Sequence, residues 1–319
     1  MTNYKSEPAD LLENDFYKAA ILKQRGAKIA SIFSKSIQKE LLYQVEGNYD
    51  SPAAYDTPFG PDDSSGFDDM FPSINPEACP DAPWKNSHYP DHGEVWSLPW
   101  QSITNQLSPD SRTSADAVAA YRVYGIRFPY ALMKTVELIE DKIRFSYKAE
   151  NNSPFPLPYL WAAHAIFRME AGMELLPPKG SIEILNALEG KLGKVGDTHN
   201  FPKTLNRNKK KIDLSIIPEK NPEGMQKYYF KDRVKEGICS LHNPQDGMSI
   251  NLEWNPEKLP YLGIWVNEGG WANQFNIGIE PATAGMDSPT AGRKYGMESI
   301  LKPYSSFEWS LDISVCSSR

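Results

Sequence analysis

The chain has 319 residues, of which 40% are hydrophobic and 24% charged, with a formal net charge of −7 and a pI near 5.4. The negative charge argues against a nucleic-acid partner, because affinity for nucleic acids depends largely on Lys and Arg side chains that neutralise phosphates. The three cysteines, Cys79, Cys239 and Cys316, have no close spacing, so neither a disulfide framework nor a zinc site is predicted.

The N-terminal segment MTNYKSEPADLLEND lacks the apolar core of a signal peptide. No run in the chain approaches the roughly 18 apolar residues that a membrane helix requires. We therefore expect a cytoplasmic protein with no membrane partner. A single large domain over residues 1–319 is expected, since all-β domains can extend to about 250 residues, and two domains are the alternative.

Residues 16–43 predict an antiparallel meander. The segments FYKAAILK, AKIASIFS and KELLYQ combine alternation with β-branched or aromatic residues, with a turn at Arg25-Gly26. Residues 46–116 are rich in Pro, Gly, Asp, Ser and Asn, with isolated aromatic residues. A loop of this length is usually either disordered or functional, and the aromatic residues favour ordered loops anchored on a scaffold.

Strand patterns return from Ala117, with a tight turn at Glu140-Asp141. Residues 195–225 form a second polar excursion, in which a cluster of basic residues has no interleaved aromatic residues, so a solvated loop is favoured over a nucleic-acid patch. Further strand patterns follow from Gln226 to Ser314. Many short strands with Pro- and Gly-rich turns, and no long amphipathic helix, predict an all-β antiparallel sandwich or barrel.

The stretch Leu157–Glu170, LPYLWAAHAIFRME, places one histidine among apolar side chains. Proline pushes the preceding residue into extended geometry, so the lead-in PFPLP favours a strand. On a strand, His164 shares a face with Leu160, Ala162 and Ile166. A helix is the alternative, because periodicity does not settle short apolar runs. A histidine here could also be a core residue bonded to a backbone carbonyl.

Together with four other segments, this stretch resembles the galactose mutarotase-like superfamily, the aldose 1-epimerases. The four segments are GAKIASI, YPDHGEVW, IGIEPATAGMD and the closing ILKPYSSFEWSLDISV. The resemblance spans nearly the whole chain. It implies a large curved β-sandwich, sometimes called a supersandwich, and the interconversion of the α and β anomers of a monosaccharide by a monomer or homodimer. Such chemistry needs one acid and one base but no cofactor and no metal.

The resemblance assigns the catalytic roles to Glu280 as the base and His164 as the acid, which would have to be protonated near neutral pH. In QFNIGIEPA, Glu280 shares a face with Asn276 and Gly278 at the end of a predicted strand. If YLGIWVN and QFNIGIE pair as a hairpin, Gly263 and Gly278 lie nearly opposite each other and open floor space for a ligand. Trp265 would share that face and pack against a sugar ring. Without the resemblance, Glu280 would be interpreted as a rim carboxylate and Trp265 as a core residue.

In YPDHGEVW, His92 resembles a second family histidine that steadies the sugar near its ring oxygen. A metal site made of His88, Asp91, His92 and Glu94 is the alternative. The ligand types are suitable, but Pro90 and Gly93 indicate a turn, whereas a His-x₃-His pair chelates best on a helix.

The sequence departs from the family at one binding position. Galactose mutarotases carry an arginine before the first histidine, whereas the comparable stretch here, GFDDMFPSINP, has none. Asp69 is the candidate that orients a neutral polyol through its carboxylate, with a solvated turn as the alternative. The family's further binding aspartate has no clear match, and Asp232 is a weak candidate.

Two other functions remain open on the sequence. The first is a sugar-binding protein without catalytic activity on the same fold. The second is a glycosidase or polysaccharide lyase, which would need a further acidic residue at a defined separation or a lyase base, and the sequence names no such pair.

Overall fold

The computed structural model describes residues 2–49, 51–61, 63–107 and 117–317. Before residue 117 the strands are β1 (Thr2–Tyr4), β2 (Glu7–Glu13), β3 (Tyr17–Leu22), β4 (Lys28–Ser34), β5 (Lys39–Glu40), β6 (Phe67–Met70), β7 (Glu77–Ala78), β8 (His88–Tyr89) and β9 (Gln101–Ser102). A short 3-10 helix follows at Thr104–Gln106.

The middle of the chain forms β10 (Ala117–Tyr124), β11 (Tyr130–Ile139), β12 (Lys142–Asn151), β13 (Leu157–Tyr159), β14 (Ala162–Arg168), β15 (Glu174–Leu176), β16 (Glu183–Asn186), β17 (Thr198–Asn200), β18 (Lys203–Leu205) and β19 (Lys211–Asp213). The remainder forms β20 (Met225–Phe230), β21 (Ile238–Asn243), β22 (Met248–Trp254), β23 (Tyr261–Asn267), β24 (Asn276–Ala282), the helix α1 (Pro289–Lys294), β25 (Ser299–Leu301) and β26 (Ser306–Ser317). Within these described residues, no helix has the length and apolar character of a membrane span.

Two large antiparallel sheets dominate the architecture. The larger sheet has the order β1-β2-β3-β4-β6-β14-β24-β23-β20-β16-β17, and β5 pairs with β4 at its side. The second sheet has the order β15-β21-β22-β26-β12-β11-β10-β9. The all-β antiparallel fold class predicted from the sequence is therefore confirmed.

The two sheets pack face to face through their alternating apolar residues. Phe67 of the larger sheet meets Phe145 of the second sheet edge-on, with ring centroids 5.2 Å apart. Trp161, between β13 and β14, lies 5.1 Å from Trp309 of β26. Inward side chains from both sheets belong to one contiguous hydrophobic cluster. This is the arrangement of a β-sandwich, in which each strand contributes alternate residues to the core.

The predicted meander and the predicted strand around His164 are both confirmed. β3, β4 and β5 follow the three N-terminal segments, and β14 holds Ala162–Arg168 as a strand between β6 and β24. The helical alternative for this stretch is wrong, because every one of these residues is needed in the ladder of a central strand.

The described part of the predicted loop over residues 46–116 is ordered and anchored by buried aromatic residues such as Phe71, Trp96 and Trp100. Gly26, with φ of +64°, lets the loop approach, since a Cβ at this position would lie 2.4 Å from the carbonyl oxygen of Trp96. Asp50, Asp62 and residues 108–116 lie outside the described residues.

Strand β6 is a feature that the sequence did not reveal. Its residues FDDM place two aspartates inside a central strand, where charged residues are rare unless they are paired. Here Asp68 is paired with Lys28, and Asp69 with Lys134. Likewise, the excursion over residues 195–225 was predicted as a loop but contains β17, β18 and β19.

Candidate active site

The floor of the candidate site is a face of the larger sheet. Its first cross-strand row runs Lys227 (β20), Trp265 (β23), Gly278 (β24) and Ile166 (β14). A Cβ at Gly278 would lie 3.1 Å from both Glu280 Oε1 and Ile166 Cδ1, so these side chains would have to shift to admit it. The missing side chain leaves room for the carboxylate.

The second row lies two residues along the strands and brings the two predicted catalytic residues together. Gly263 pairs with Glu280, and the β14–β24 register is set by the pairs Ala165–Ile279 and Ala162–Ala282. The same register puts His164 directly across from Glu280. Facing residues on antiparallel strands have Cβ atoms about 4.5–5.5 Å apart, so the imidazole and the carboxylate are neighbours.

The predicted hairpin of β23 and β24 is present, but its glycines are staggered. Gly278 pairs with Trp265, and Gly263 pairs with Tyr229 on its other side. A Cβ on Gly263 would lie 3.0 Å from the Tyr229 ring. The expectation that the two glycines open floor space for a ligand is therefore wrong, since Tyr229 fills the space at Gly263.

Above this floor is a cavity of about 380 Å³. Small-molecule sites typically measure about 300–1,000 Å³. The polar and aromatic groups that line the cavity include His92, His164, Lys227, Trp265, Glu280 and Asp287. Four of the five predicted site residues thus share one cavity, and Asp69 is the exception.

Phe59 covers the histidine side of the cavity. Its ring stacks on His92 with centroids 4.2 Å apart and an interplanar angle of 14°, and it meets His164 edge-on at 5.3 Å. The two imidazoles lie 5.4 Å apart in an edge-to-face arrangement. The backbone N–H of Phe59 donates to Asp91 Oδ2 at 2.9 Å, which fixes the loop that carries the ring.

His92 is held by a carboxylate. Its Nδ1 lies 2.8 Å from Asp91 Oδ1, and its backbone N–H donates to the carbonyl of Ile74 at 2.6 Å. Burial raises the pKa of Asp91, but the hydrogen bond and charge of His92 outweigh burial, and the pKa lies below its ordinary value. Asp91 is therefore ionised near neutral pH, and its carboxylate holds the His92 ring in place through Nδ1.

His164 has a different environment. It is buried, and no described residue forms a hydrogen bond with its Nδ1. Burial, and after it the charges of His92 and Lys227, hold the pKa of His164 well below its ordinary value. The expectation that His164 is protonated near neutral pH is therefore wrong, because burial disfavours the imidazolium and the neighbouring cations repel it.

Glu280 is fully buried, and its pKa is raised, first by burial and also by the charge of Asp287, while Lys227 acts in the opposite direction. Lys227 Nζ lies 2.9 Å from Glu280 Oε2. This approach is an ion pair, since no described residue donates a hydrogen bond of ordinary geometry to either carboxylate oxygen. The oxygens of Glu280 are thus available to accept a proton.

Lys227 and Asp287 are site residues that sequence reasoning missed. Lys227 Nζ lies 2.9 Å from Asp287 Oδ1, and the Tyr229 hydroxyl donates to the same oxygen at 2.7 Å. A signal was available for Lys227, because it is the one charged residue in the strand MQKYYF and is followed directly by three aromatic residues. Asp287 stands at the end of the segment IGIEPATAGMD, which had been singled out for Glu280.

Comparison with known proteins identifies the family. Residues 11–315 match the model of a family described as a domain of unknown function, DUF4432. The chain belongs to the DUF4432 family. Among the curated proteins, none matches the sequence.

Solved structures with the same fold as this DUF4432 protein span its full length. The Slr1438 protein from Synechocystis sp. PCC 6803 is 17% identical with a TM-score of 0.70, over 100% of this chain and 99% of that one. A galactose mutarotase-like protein from Lactobacillus casei ATCC 334 is 16% identical with a TM-score of 0.65, and the match covers 97% of this chain and 100% of that one. Another from Clostridium acetobutylicum is 13% identical with a TM-score of 0.67, over 99% and 98%. The galactose mutarotase-like fold expected from the sequence is therefore confirmed.

Asp69 of the DUF4432 protein lies outside the cavity. In the ladder, Asp68 pairs with His164 and Asp69 with Ala163, so Asp69 points to the opposite face of the sheet. There it is fully buried, 2.7 Å from Lys134 Nζ, and accepts a hydrogen bond from Trp161 Nε1 at 3.1 Å. The predicted role of Asp69 in orienting a sugar is contradicted by this placement.

The alternative metal site is not assembled either. His88 is exposed, whereas Glu94 is fully buried and accepts hydrogen bonds from the Tyr55 hydroxyl at 2.6 Å and the Arg127 backbone N–H at 2.9 Å. Over the described parts of the chain, no group of three or more His, Cys, Asp or Glu side chains is arranged to hold a metal ion. Asp232, the weak candidate for sugar binding, is exposed beyond the end of β20.

Proposed function

We propose that this DUF4432 protein is an aldose 1-epimerase-like isomerase that interconverts the α and β anomers of a neutral sugar. The observation that carries the proposal is the pairing register, which sets His164 against Glu280 on the floor of a cavity that His92 also lines. An anomer exchange needs a base at the anomeric hydroxyl and an acid at the ring oxygen, and these groups are available within one cavity.

Glu280 is the base in this proposal. Its carboxylate takes the proton of the anomeric hydroxyl while the bond between the anomeric carbon and the ring oxygen breaks. The resulting aldehyde rotates and the ring closes on its other face, as Glu280 returns the proton. A buried carboxylate with a raised pKa is a stronger base than an exposed one, which supports this role.

His92 is the acid. Asp91 holds its ring through Nδ1 at 2.8 Å, so the other ring nitrogen is left to give a proton to the ring oxygen as the ring opens and to recover it on closure. His164 stays neutral and holds the ring oxygen or a neighbouring hydroxyl by a hydrogen bond. The roles of the two histidines are therefore exchanged relative to the expectation from the sequence.

Trp265 provides a flat surface for the sugar. Its indole is half-buried in the row beside Glu280 and lines the cavity. An indole buries the apolar face of a pyranose and leaves the hydroxyls free to bond elsewhere.

The test is nuclear magnetic resonance of α/β exchange over a panel of aldoses, with binding measured in parallel. Glu280→Gln and His92→Asn are each expected to lower the exchange rate by about 10²–10⁴ while binding persists, because each removes one proton transfer. Glu253→Gln, an exposed glutamate on β22, is the matched control and should exchange at the parent rate.

The pH dependence separates the two histidines. The parent is expected to give a bell-shaped profile, with an acid limb from the base Glu280 and an alkaline limb from the group that acts as the acid. His92→Asn should abolish the alkaline limb, whereas His164→Asn should lower the rate and keep both limbs. Sugar binding without exchange in the parent protein would refute the proposal in favour of a catalytically inactive sugar-binding protein.

A further inference from the structure

The ammonium group of Lys227 occupies the centre of the acidic side of the cavity. It lies 2.9 Å from Glu280 Oε2 and 2.9 Å from Asp287 Oδ1. β20 and β24 are separated by β23, a distance of about 10 Å, so the lysine side chain reaches across one strand to meet Glu280. Lysine is rarely buried unless it is paired, so a buried ammonium on the floor beside Trp265 indicates a specific role.

We propose that Lys227 is a positioning residue for the base: its ammonium bridges Glu280 and Asp287, holds the Glu280 carboxylate against the cavity and keeps it free of a proton. This inference rests on the proposed function, since it concerns the same base. Lys227 itself exchanges no proton with the sugar.

The charges around Glu280 explain why a bridge is needed. Glu280 and Asp287 are both buried, and two neighbouring carboxylates with one cation removed would share a proton. In that state Glu280 would no longer be a base. Among the described residues, the titratable and charged groups around Glu280 and its cavity are Lys227 and Tyr229 from β20, His164 from β14, Asp91 and His92 from the loop after β8, Glu189 from the loop after β16, and Asp287 from the loop after β24.

Asp287 is a fixed anchor for the bridge. Its backbone carbonyl accepts the N–H groups of Ile74 and Asn75 at 3.0 and 2.7 Å. Its carboxylate accepts the Tyr229 hydroxyl at 2.7 Å, and burial raises the pKa of Tyr229 far enough that the phenol stays protonated and donates. Asp287 therefore fixes the position of the Lys227 ammonium, and the ammonium in turn orients the Glu280 carboxylate.

Lys227 does not have the properties of an acid or a nucleophile. Burial lowers its pKa, but the charges of Asp287 and Glu280 outweigh burial and raise the pKa above its ordinary value. The amine is thus charged throughout the range in which enzymes work. It keeps one further N–H with which to donate, since an ammonium has three donors and two face carboxylates.

The experiment follows the titration of Glu280 directly, by carbon-13 nuclear magnetic resonance of labelled glutamate carboxyls in the protein without sugar. The Glu280 signal is assigned from its loss in Glu280→Gln. Lys227→Met and Lys227→Gln are expected to move this titration, and the acid limb of kcat/KM, to higher pH by about one unit or more, because a contacting opposite charge lowers a carboxyl pKa by about 1–3 units.

Three further variants test the direction of the shift, the role of the charge and the specificity of the effect. Asp287→Asn should move the Glu280 titration to lower pH, because Lys227 then neutralises a single carboxylate. Lys227→Arg should restore most of the parent titration, since the charge is kept. Lys231→Met removes an exposed lysine beyond the end of β20 that pairs with Glu183 at 3.1 Å, and should change nothing.

A Glu280 titration at the parent pH in both Lys227→Met and Lys227→Gln would overturn the inference. So would a shift in the same direction from Asp287→Asn as from Lys227→Met. Failure of the proposed function has a different signature, because a protein that exchanges no anomers still reports the Glu280 titration. In that case the inference about Lys227 would hold, whereas the proposed anomer exchange would be refuted.

Discussion

The Asp69→Ala substitution should lower the free energy of unfolding and leave the sugar affinity and the exchange rate of the folded protein unchanged. The Asp69 carboxylate is fully buried and lies 2.7 Å from Lys134 Nζ. The Lys134 ammonium is itself only 1% exposed. After the removal of Asp69, its hydrogen-bond acceptor among the described residues is the carbonyl of Ala27 at 2.6 Å. Breaking a buried ion pair from one side costs about 3–5 kcal/mol, because the remaining charge is left uncompensated.

A second loss adds to this magnitude. Trp161 Nε1 donates to Asp69 at 3.1 Å, and in Asp69→Ala the buried indole N–H has no acceptor there. An unsatisfied buried donor costs about 1–3 kcal/mol, so the loss of unfolding free energy should fall in the upper half of the range for a broken pair.

Urea unfolding at pH 7, followed by tryptophan fluorescence and circular dichroism, measures this loss. Lys134→Met in the Asp69→Ala background should recover part of it, because the uncompensated charge is removed. The sugar Kd and the exchange rate of the folded Asp69→Asn variant should equal those of the parent. Parent-like stability together with a raised sugar Kd would refute the reasoning and return Asp69 to the binding site.

Gly278→Ala should lower kcat/KM for anomer exchange by about 10²-fold, measured by exchange spectroscopy, because the new methyl group lies 3.1 Å from Glu280 Oε1 and displaces the base. Trp265→Ala should raise the sugar Kd about fivefold by calorimetry, for a loss of about 1 kcal/mol, whereas Trp265→Phe should keep part of the affinity. Burial raises the pKa of Asp68 from 3.8 to about 6, against the effect of Lys28. The stability contributed by its proton is then complete below about pH 4 and is lost as the pH rises through 6; urea unfolding in steps of pH should show this slope in the parent and not in Asp68→Asn.

The sequence by itself determined the strands that carry the site. Alternation and the prolines around residues 154–158 predicted an extended segment through His164, and the pattern of QFNIGIEPA put Glu280 on the polar face of another strand. Both predictions hold because the two-residue period of a strand is a local property of the backbone. The resemblance to the galactose mutarotase-like superfamily then indicated the fold, and the architecture of the described residues agrees.

The identity of the neighbours was decided by the tertiary structure. A shift of one residue in register turns a side chain to the other face, and the pairing of β6 with β14 put Asp68 on the same face as His164 and Asp69 on the opposite face. Lys227 reaches Glu280 from a strand two places away, which no local pattern encodes.

The protonation state of His164 could not be predicted from the sequence either. A carboxylate touches the histidine at position 92, whereas burial and nearby positive charge hold the pKa of the histidine at position 164 well below its ordinary value. Burial and surrounding charge set the pKa of His164, and both come from residues distant along the chain. The sequence thus determined which chemical groups are present and which face each strand offers, whereas folding decided their partners and charges.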